Sequence, residues 1–183
     1  KVDMIELNIS CPNVKEGGIA FGQNPKAAEE ITRAVKKYAK QPVIMKLSPN
    51  VTSIADMARA VEAGGADAVS LINTITGMKI DIQKKGFLLA NKTGGVSGPA
   101  IHPIAVRMVY EAANAVKIPV IGMGGIASAE DAIEMLLAGA SAVSVGTANF
   151  YNPAVTMEIV DGIERYMQEQ GFETVSDMVG IVR

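Results

Sequence analysis

Pro42-Val43-Ile44, a helical stretch closing on Ala63-Gly64-Gly65-Ala66, and then Ala68-Val69-Ser70 return later in the chain as Pro119-Val120-Ile121, a helical stretch closing on Ala138-Gly139-Ala140, and Ala142-Val143-Ser144. Each copy reads strand, helix, strand. Short buried strands alternating with amphipathic helices form parallel β/α units, with each crossover helix on the outside of the sheet. The expected fold class is therefore α/β, a sheet of parallel β/α units with its helices outside.

Upstream of the first copy, Ile5, Leu7 and Ile9 alternate with Glu6, Asn8 and Ser10, so one face of a strand is apolar and the other carries a carboxylate, an amide and a hydroxyl. The alternation runs into the only cysteine, Cys11, in the turn Cys11-Pro12-Asn13. Lys15 to Gly22 is glycine-rich and reads either as a lid over the thiol or as an ordinary connector. Asn24-Pro25 reads as an N-cap with proline at the first helical position. The helix it opens carries Ala28, Ile31, Val35 and Tyr38 as a buried stripe. Lys46 is anomalous in its apolar strand, because a lysine there needs either an anionic partner or a route to solvent along an edge. A helix from Ser53 to Glu62 presents Ile54, Met57, Ala58 and Val61, and the next strand, Ala68 to Ile72, stops at Asn73-Thr74.

Between the two copies, Thr76 to Val96 reads as an irregular, polar excursion with a turn at Thr93-Gly94-Gly95. It is too long for an ordinary β/α connection and marks a functional segment. Ser97 to Pro103 opens a helix through Val116, which places His102 in the first turn, at the surface or behind the ligand contacts. Gly122-Met123-Gly124-Gly125 precedes Ser128 to Asp131, whose spacing suits a capping box. Glycines before a helix start either cradle a phosphate or simply make a tight turn. The strand Ala142 to Val145 ends likewise in Gly146-Thr147-Ala148, and paired glycine turns after the last two strands of a β/α barrel hold phosphate. A last helix from Asn152-Pro153 to Gln170 carries Val155, Ile159, Ile163 and Tyr166, and the apolar tail Val175 to Val182 is expected to dock under the barrel.

The 183 residues are 49% hydrophobic and 20% charged, enough for a sizeable core and too apolar for disorder. With 17 basic against 19 acidic residues and no basic stripe, nucleic-acid binding is not expected. One cysteine and one histidine supply neither a disulfide nor a metal site, so no metal is expected and a cytoplasmic setting fits. No apolar run approaches the roughly 20 residues of a membrane span. The chain opens on Lys1 and enters a strand at once, which reads as a fragment missing its upstream sequence.

The strand ends thus collect a thiol, a lysine, amides, hydroxyls and a glycine-lined phosphate seat. No His/Asp partner exists for a hydrolytic triad, and a phosphorylated cofactor with chemistry of its own fits this kit. NISCPN, KEGGIAFGQNP, VIMKLSPN, LINT, GGVSGPAI, GMGGI and VGTA, in this order and spacing, resemble the catalytic FMN subunit of class 1B dihydroorotate dehydrogenase over essentially the whole chain. The resemblance implies an FMN-containing barrel that oxidises dihydroorotate to orotate in UMP biosynthesis. In such enzymes the cysteine matching Cys11 removes the C5 proton while hydride leaves C6 for the flavin. By the same resemblance Asn8 touches substrate and FMN, and Asn73 and Thr74 bind the pyrimidine. Lys46 would stabilise the reduced flavin ring and Ile72 would lie against it, while Gly98, Gly124, Gly125, Gly146 and Thr147 would hold the phosphate. It further implies a separate partner subunit carrying FAD and a [2Fe–2S] cluster, in a heterotetramer of two catalytic and two electron-transfer subunits that passes electrons to NAD.

The resemblance implies a TIM (β/α)8 barrel of which this chain supplies only the C-terminal five β/α units, since the family's first three strands have no counterpart here; residues 1–183 are therefore expected to be one barrel domain lacking its N-terminal portion, with unpaired edges prone to associate. Other readings are a dihydropyrimidine dehydrogenase-like flavin domain, a lyase forming a Schiff base on Lys46, and a non-catalytic phospholigand module.

Overall fold

The computed structural model describes residues 2–10 and 22–182. Cys11 and the glycine-rich stretch through Phe21 lie outside the described residues. Strand β1 (Ile5–Asn8) leads through that stretch to helix α1 (Pro25–Lys36), followed by β2 (Val43–Lys46), α2 (Ile54–Ala63) and β3 (Ala68–Leu71). An excursion of four short strands comes next, β4 (Ile75–Met78), β5 (Ile80–Asp81), β6 (Gly86–Phe87) and β7 (Thr93–Val96). A 3-10 turn, Pro99–Ile101, opens α3 (His102–Ala115), and the chain returns to the sheet as β8 (Val120–Met123), α4 (Ala129–Ala138) and β9 (Ala142–Ser144). A second 3-10 turn, Thr147–Phe150, precedes α5 (Val155–Gln170) and α6 (Val175–Met178).

The sheet runs β1-β2-β3-β8-β9 with every pairing parallel, the arrangement expected of five consecutive β/α units, and β1 and β9 are its outer strands. Alternation decides the two faces. Val43, Met45, Leu47, Val69, Leu71 and Val120 are buried in one core with Ile54, Met57 and Val61 of α2, Ala105 and Val109 of α3 and Met135 of α4. Each such fully buried side chain contributes about 1.5–3 kcal/mol by leaving water. The intervening Lys46, Ser70 and Ser144 face the other side, the interior of the barrel.

Caps set the helix starts as read. Asn24 Oδ1 accepts from the N–H groups of Lys26 and Ala27 ahead of α1, Ser53 Oγ accepts from Asp56 N–H, and Ser128 and Asp131 complete a capping box. One expectation fails on α1, whose helix ends at Lys36. Tyr38 lies beyond it and is 78% exposed rather than part of the buried stripe. Thr32 takes the inner position instead, satisfying its hydroxyl on the Ala28 carbonyl at 2.6 Å.

The excursion is not irregular. β4 pairs antiparallel with β7 and β5 with β6. Thr93-Gly94-Gly95 lies inside β7 rather than in a turn, and the side chain of Thr74 explains the glycine, since a Cβ on Gly95 would fall 2.2 Å from Thr74 Oγ1. The tail docks on α4, where Met178 is fully buried with Ile133 and Leu136, and Gly180 N–H donates to the Leu136 carbonyl. Among the described residues no helix is long and apolar enough to cross a membrane.

Candidate functional site

Because the five strands are parallel, their C-terminal ends meet at one rim. Asn8 of β1 stands in register with Lys46 of β2, and Lys46 with Ser70 of β3. Beside them opens a cleft of about 220 Å³ lined by Lys46, Ile72, Asn73 and Thr74 on one side and by three glycine segments on the other, Ser97 to Pro99, Gly124 to Ile126 and Gly146 to Ala148. The sequence-predicted Lys46, Ile72, Asn73, Thr74, Gly98, Gly124, Gly125, Gly146 and Thr147 all reach this one cavity. Asn8 does not line it directly. Cys11 is outside the described residues.

Asn8 instead builds the rim. Its Oδ1 accepts from Ser10 N–H at 3.1 Å and from the Ser10 hydroxyl at 2.8 Å. Asn73 Nδ2 donates to Ser10 Oγ at 2.6 Å and to Asn8 Oδ1 at 3.4 Å, while Asn73 Oδ1 accepts from Thr74 N–H at 2.7 Å. Ser10 is buried, so the residue immediately before Cys11 is tied to the end of β3. A Cβ on Gly22 would meet the Ile9 carbonyl at 2.5 Å, so the chain resumes packed against the point where it left.

Lys46 is half-buried and has no carboxylate partner among the described residues. It lines the cleft, where its ammonium is available to an anion. Glu6, on the same strand face as Asn8, is occupied otherwise, accepting from the Ser70 hydroxyl at 2.7 Å.

The glycines serve two purposes. A Cβ on Gly124 (φ +132°) would lie 2.7 Å from Ala105 Cβ, and one on Gly125 (φ +71°) 2.7 Å from the Gly98 carbonyl and 2.8 Å from His102 Cβ. These two are glycine because the start of α3 packs against them. A Cβ on Gly98 or Gly146 would meet no atom of the described residues within 4 Å, although both residues line the cleft, so what it would fill is cleft space open to a ligand. Among the described residues the N–H groups of Gly125, Gly146 and Thr147 have no protein acceptor. Unpaired amides around a glycine cradle beside a lone ammonium suit a phosphate on an extended organic ligand. The residues present therefore fit FMN.

Sequence reasoning missed two supports, Asn50 and Ser97, and left a third, His102, between the surface and a place behind the ligand contacts. Asn50 donates through Nδ2 to the Thr74 carbonyl at 3.1 Å and accepts at Oδ1 from Thr76 N–H at 3.0 Å, clamping the segment that carries Asn73 and Thr74. Ser97 Oγ accepts from Thr147 Oγ1 at 2.9 Å and joins two of the glycine segments. His102, in the first turn as expected, is buried rather than at the surface, with Nδ1 3.0 Å from the Gly124 carbonyl and Nε2 3.1 Å from Glu134 Oε2. Nothing local announces these bonds, which span 22 to 50 residues, though an asparagine following a strand-end Ser-Pro is a recognisable clamp candidate.

The family model described as dihydroorotate dehydrogenase matches residues 1–167. The chain belongs to the dihydroorotate dehydrogenase family. Among its relatives, the dihydroorotate dehydrogenase B (NAD(+)) catalytic subunit of Lachnoclostridium phytofermentans is 64% identical over 182 residues, covering 100% of this chain and 61% of that protein. The subunit of the same name from Alkaliphilus oremlandii is 61% identical over 179 residues, covering 98% and 59%. This dihydroorotate dehydrogenase-family chain thus spans about 60% of the length of those relatives. The crystal structure of DHODH in complex with ferulenol from Eimeria tenella superimposes with a TM-score of 0.82 over 98% of this chain and 54% of that one. At 22% identity it speaks for the fold alone, an α/β barrel segment. The name "catalytic subunit" implies a second subunit in the bacterial relatives.

Proposed function

We propose that residues 1–183 form part of a single FMN-binding barrel that oxidises dihydroorotate to orotate. The observation that carries this reading is the convergence of Lys46, Asn73, Thr74 and the glycine segments at 98, 124–125 and 146–147 on one cleft. Membership of a flavin-dependent family supports it.

The phosphate would be held by the amides of Gly125, Gly146 and Thr147, with Gly98 and Gly146 leaving room, and Ile72 would pack against the ring. Bound FMN supplies acceptance of a hydride from C6 of the substrate. Lys46 provides positive charge where negative charge would grow, and asks for no proton in return. Asn8 Nδ2 has no partner among the described residues, which leaves it free to donate to a substrate oxygen. Asn73 and Thr74 would present the pyrimidine edge, held by Asn50. Cys11, next to the anchored Ser10, would take the C5 proton as a thiolate, a role for which an ordinary thiol value of about 8.5 needs only modest lowering. Loss of that proton and of the C6 hydride turns the C5–C6 single bond into the double bond of orotate, so atoms and electrons balance. A partner subunit carrying FAD and a [2Fe–2S] cluster would supply the route to NAD, in a cytoplasmic heterotetramer of two catalytic and two electron-transfer subunits.

Anaerobic turnover of the full-length protein tests the reading. Dihydroorotate should be oxidised and dihydrouracil should not; the reverse preference would assign the site to a dihydropyrimidine dehydrogenase-like activity. Cys11→Ala should bind orotate nearly as the wild type does and lose most turnover, with Cys11→Ser retaining a little. Normal turnover in both variants would remove Cys11 from the mechanism.

A further inference from the structure

One side chain grips the Gly124–Gly125 turn from behind. His102 opens α3 with 6% of its surface exposed, and a Cβ on Gly125 would lie 2.8 Å from His102 Cβ and 2.9 Å from its backbone nitrogen. Its ring is fixed at both nitrogens. The Gly124 carbonyl, 3.0 Å from Nδ1, can only accept, so Nδ1 carries a hydrogen and donates. Nε2 faces Glu134 Oε2 at 3.1 Å and Asp131 Oδ1 at 3.7 Å, both from α4. These two carboxylates are the ionisable groups facing the ring among the described residues; the glycine turn and the 3-10 segment bring none.

The consequence for the cleft follows from peptide geometry. In a trans peptide the C=O of one residue and the N–H of the next point in opposite directions from a rigid plane. Holding the Gly124 carbonyl toward His102 therefore turns the Gly125 N–H away from α3. Gly125 lines the cleft, and its amide has no protein acceptor among the described residues. Asp131 Oδ2 meanwhile accepts from Ala127 and Ser128 N–H at 2.8 and 3.0 Å, securing the other end of the same turn. With φ of +132° and +71° at its two glycines, the turn has unusual freedom to flip unless it is held.

We propose that His102 is a positioning residue for the anion cradle: its Nδ1–H bond to the Gly124 carbonyl holds the peptide in the orientation that aims the Gly125 N–H at the phosphate of the ligand. The inference rests on the reading of the cleft as an FMN seat. The side-chain amide nitrogen of Asn can occupy the place of Nδ1, whereas Gln reaches the place of Nε2. H102N should therefore restore what H102L loses, and H102Q should not.

Apo-protein of full length, titrated with FMN and separately with riboflavin and followed by flavin fluorescence, tests the proposal, with thermal melting of each apo variant as the control. H102N should bind FMN within about threefold of wild type, and H102L and H102Q about tenfold or more weaker, a loss of about 1.4 kcal/mol. Riboflavin, which lacks the phosphate, should bind all four proteins alike. H102L binding FMN as tightly as wild type, H102N no better than H102L and H102Q, or FMN and riboflavin affinities falling together would overturn the inference. Should H102L fail to fold, the contrast between H102N and H102Q decides it. A wild-type protein that takes up neither flavin overturns the FMN reading itself, an outcome distinct from the others.

Discussion

Asn73 donates to the Ser10 hydroxyl across 2.6 Å, joining the end of β3 to the residue before Cys11 over 63 positions of sequence. The bond makes one unit of the pyrimidine-binding segment and the chain entering the proposed base. Ser10→Ala leaves Asn73 Nδ2 with only the long contact to Asn8, and should cost about 1 kcal/mol in denaturant unfolding. Turnover should fall roughly tenfold or more because a small misplacement of a reacting group is expensive. FMN content should stay as in the wild type, since Ser10 touches no glycine segment. Unchanged turnover would show that Cys11 is positioned by other contacts.

Asn50 spans the excursion's base with both ends of its amide, to the Thr74 carbonyl and the Thr76 N–H. Asn50→Ala should raise KM for dihydroorotate while kcat changes less, and lower stability by about 1 kcal/mol as the partly buried Thr74 carbonyl and the exposed Thr76 N–H lose their partner. Asn50→Asp keeps the acceptor for Thr76 and loses the donor to Thr74, and should fall between. Steady-state kinetics on the three proteins checks the order.

Gly125 and Gly146 should respond oppositely to alanine. At Gly125 the new Cβ meets backbone and a helix start at a positive φ, so Gly125→Ala should lose about 3 kcal/mol of stability or more. At Gly146 (φ −106°) it meets none of the described residues, so melting should be unchanged while FMN binds roughly tenfold or more weakly, equivalent to about 1.4 kcal/mol. Melting and FMN titration on both variants separate a packing glycine from a ligand glycine.

Asp67 joins α1 to the foot of β2, accepting from Lys36 Nζ at 2.6 Å and from Val43 N–H at 2.6 Å. The bond from Lys36 first, and that from Val43 second, hold its carboxyl below the usual carboxylate value. A depressed value means that the contribution is complete above about pH 4, the unfolded value, and disappears as pH falls through the lower folded one. The side chain is 42% exposed, so the effect is discounted to about 0.5–1 kcal/mol. Asp67→Asn should be less stable than wild type by that amount near neutrality, and the gap should close toward acid pH in urea melts.

The parallel β/α units were legible because their markers are local: proline-led apolar strands, Asn24, Ser53 and Ser128 as caps, and glycine after the helices. Lys46 stood out for the same reason, a charge where apolar neighbours forbid one without a partner. The excursion escaped reading because its strands are two to four residues long and one carries Gly94-Gly95, whose roles depend on the Leu89 and Thr74 side chains lying against them. Asn50 escaped because its partners lie 24 and 26 residues away, and the choice between the two placements of His102 rested on partners 22 and 32 residues away, since no periodicity encodes a side chain reaching a distant carbonyl. The glycines were found, but the division between those that admit helix α3 and those that admit a ligand needed coordinates.

The absorption spectrum of the purified full-length protein, recorded anaerobically before and after dihydroorotate is added, bears most directly on the claim that this cleft seats a hydride-accepting flavin. The account predicts the yellow absorption of FMN in equimolar amount with the chain, bleached by dihydroorotate. A colourless protein that takes up no FMN, or one in which borohydride traps substrate on Lys46, would contradict it.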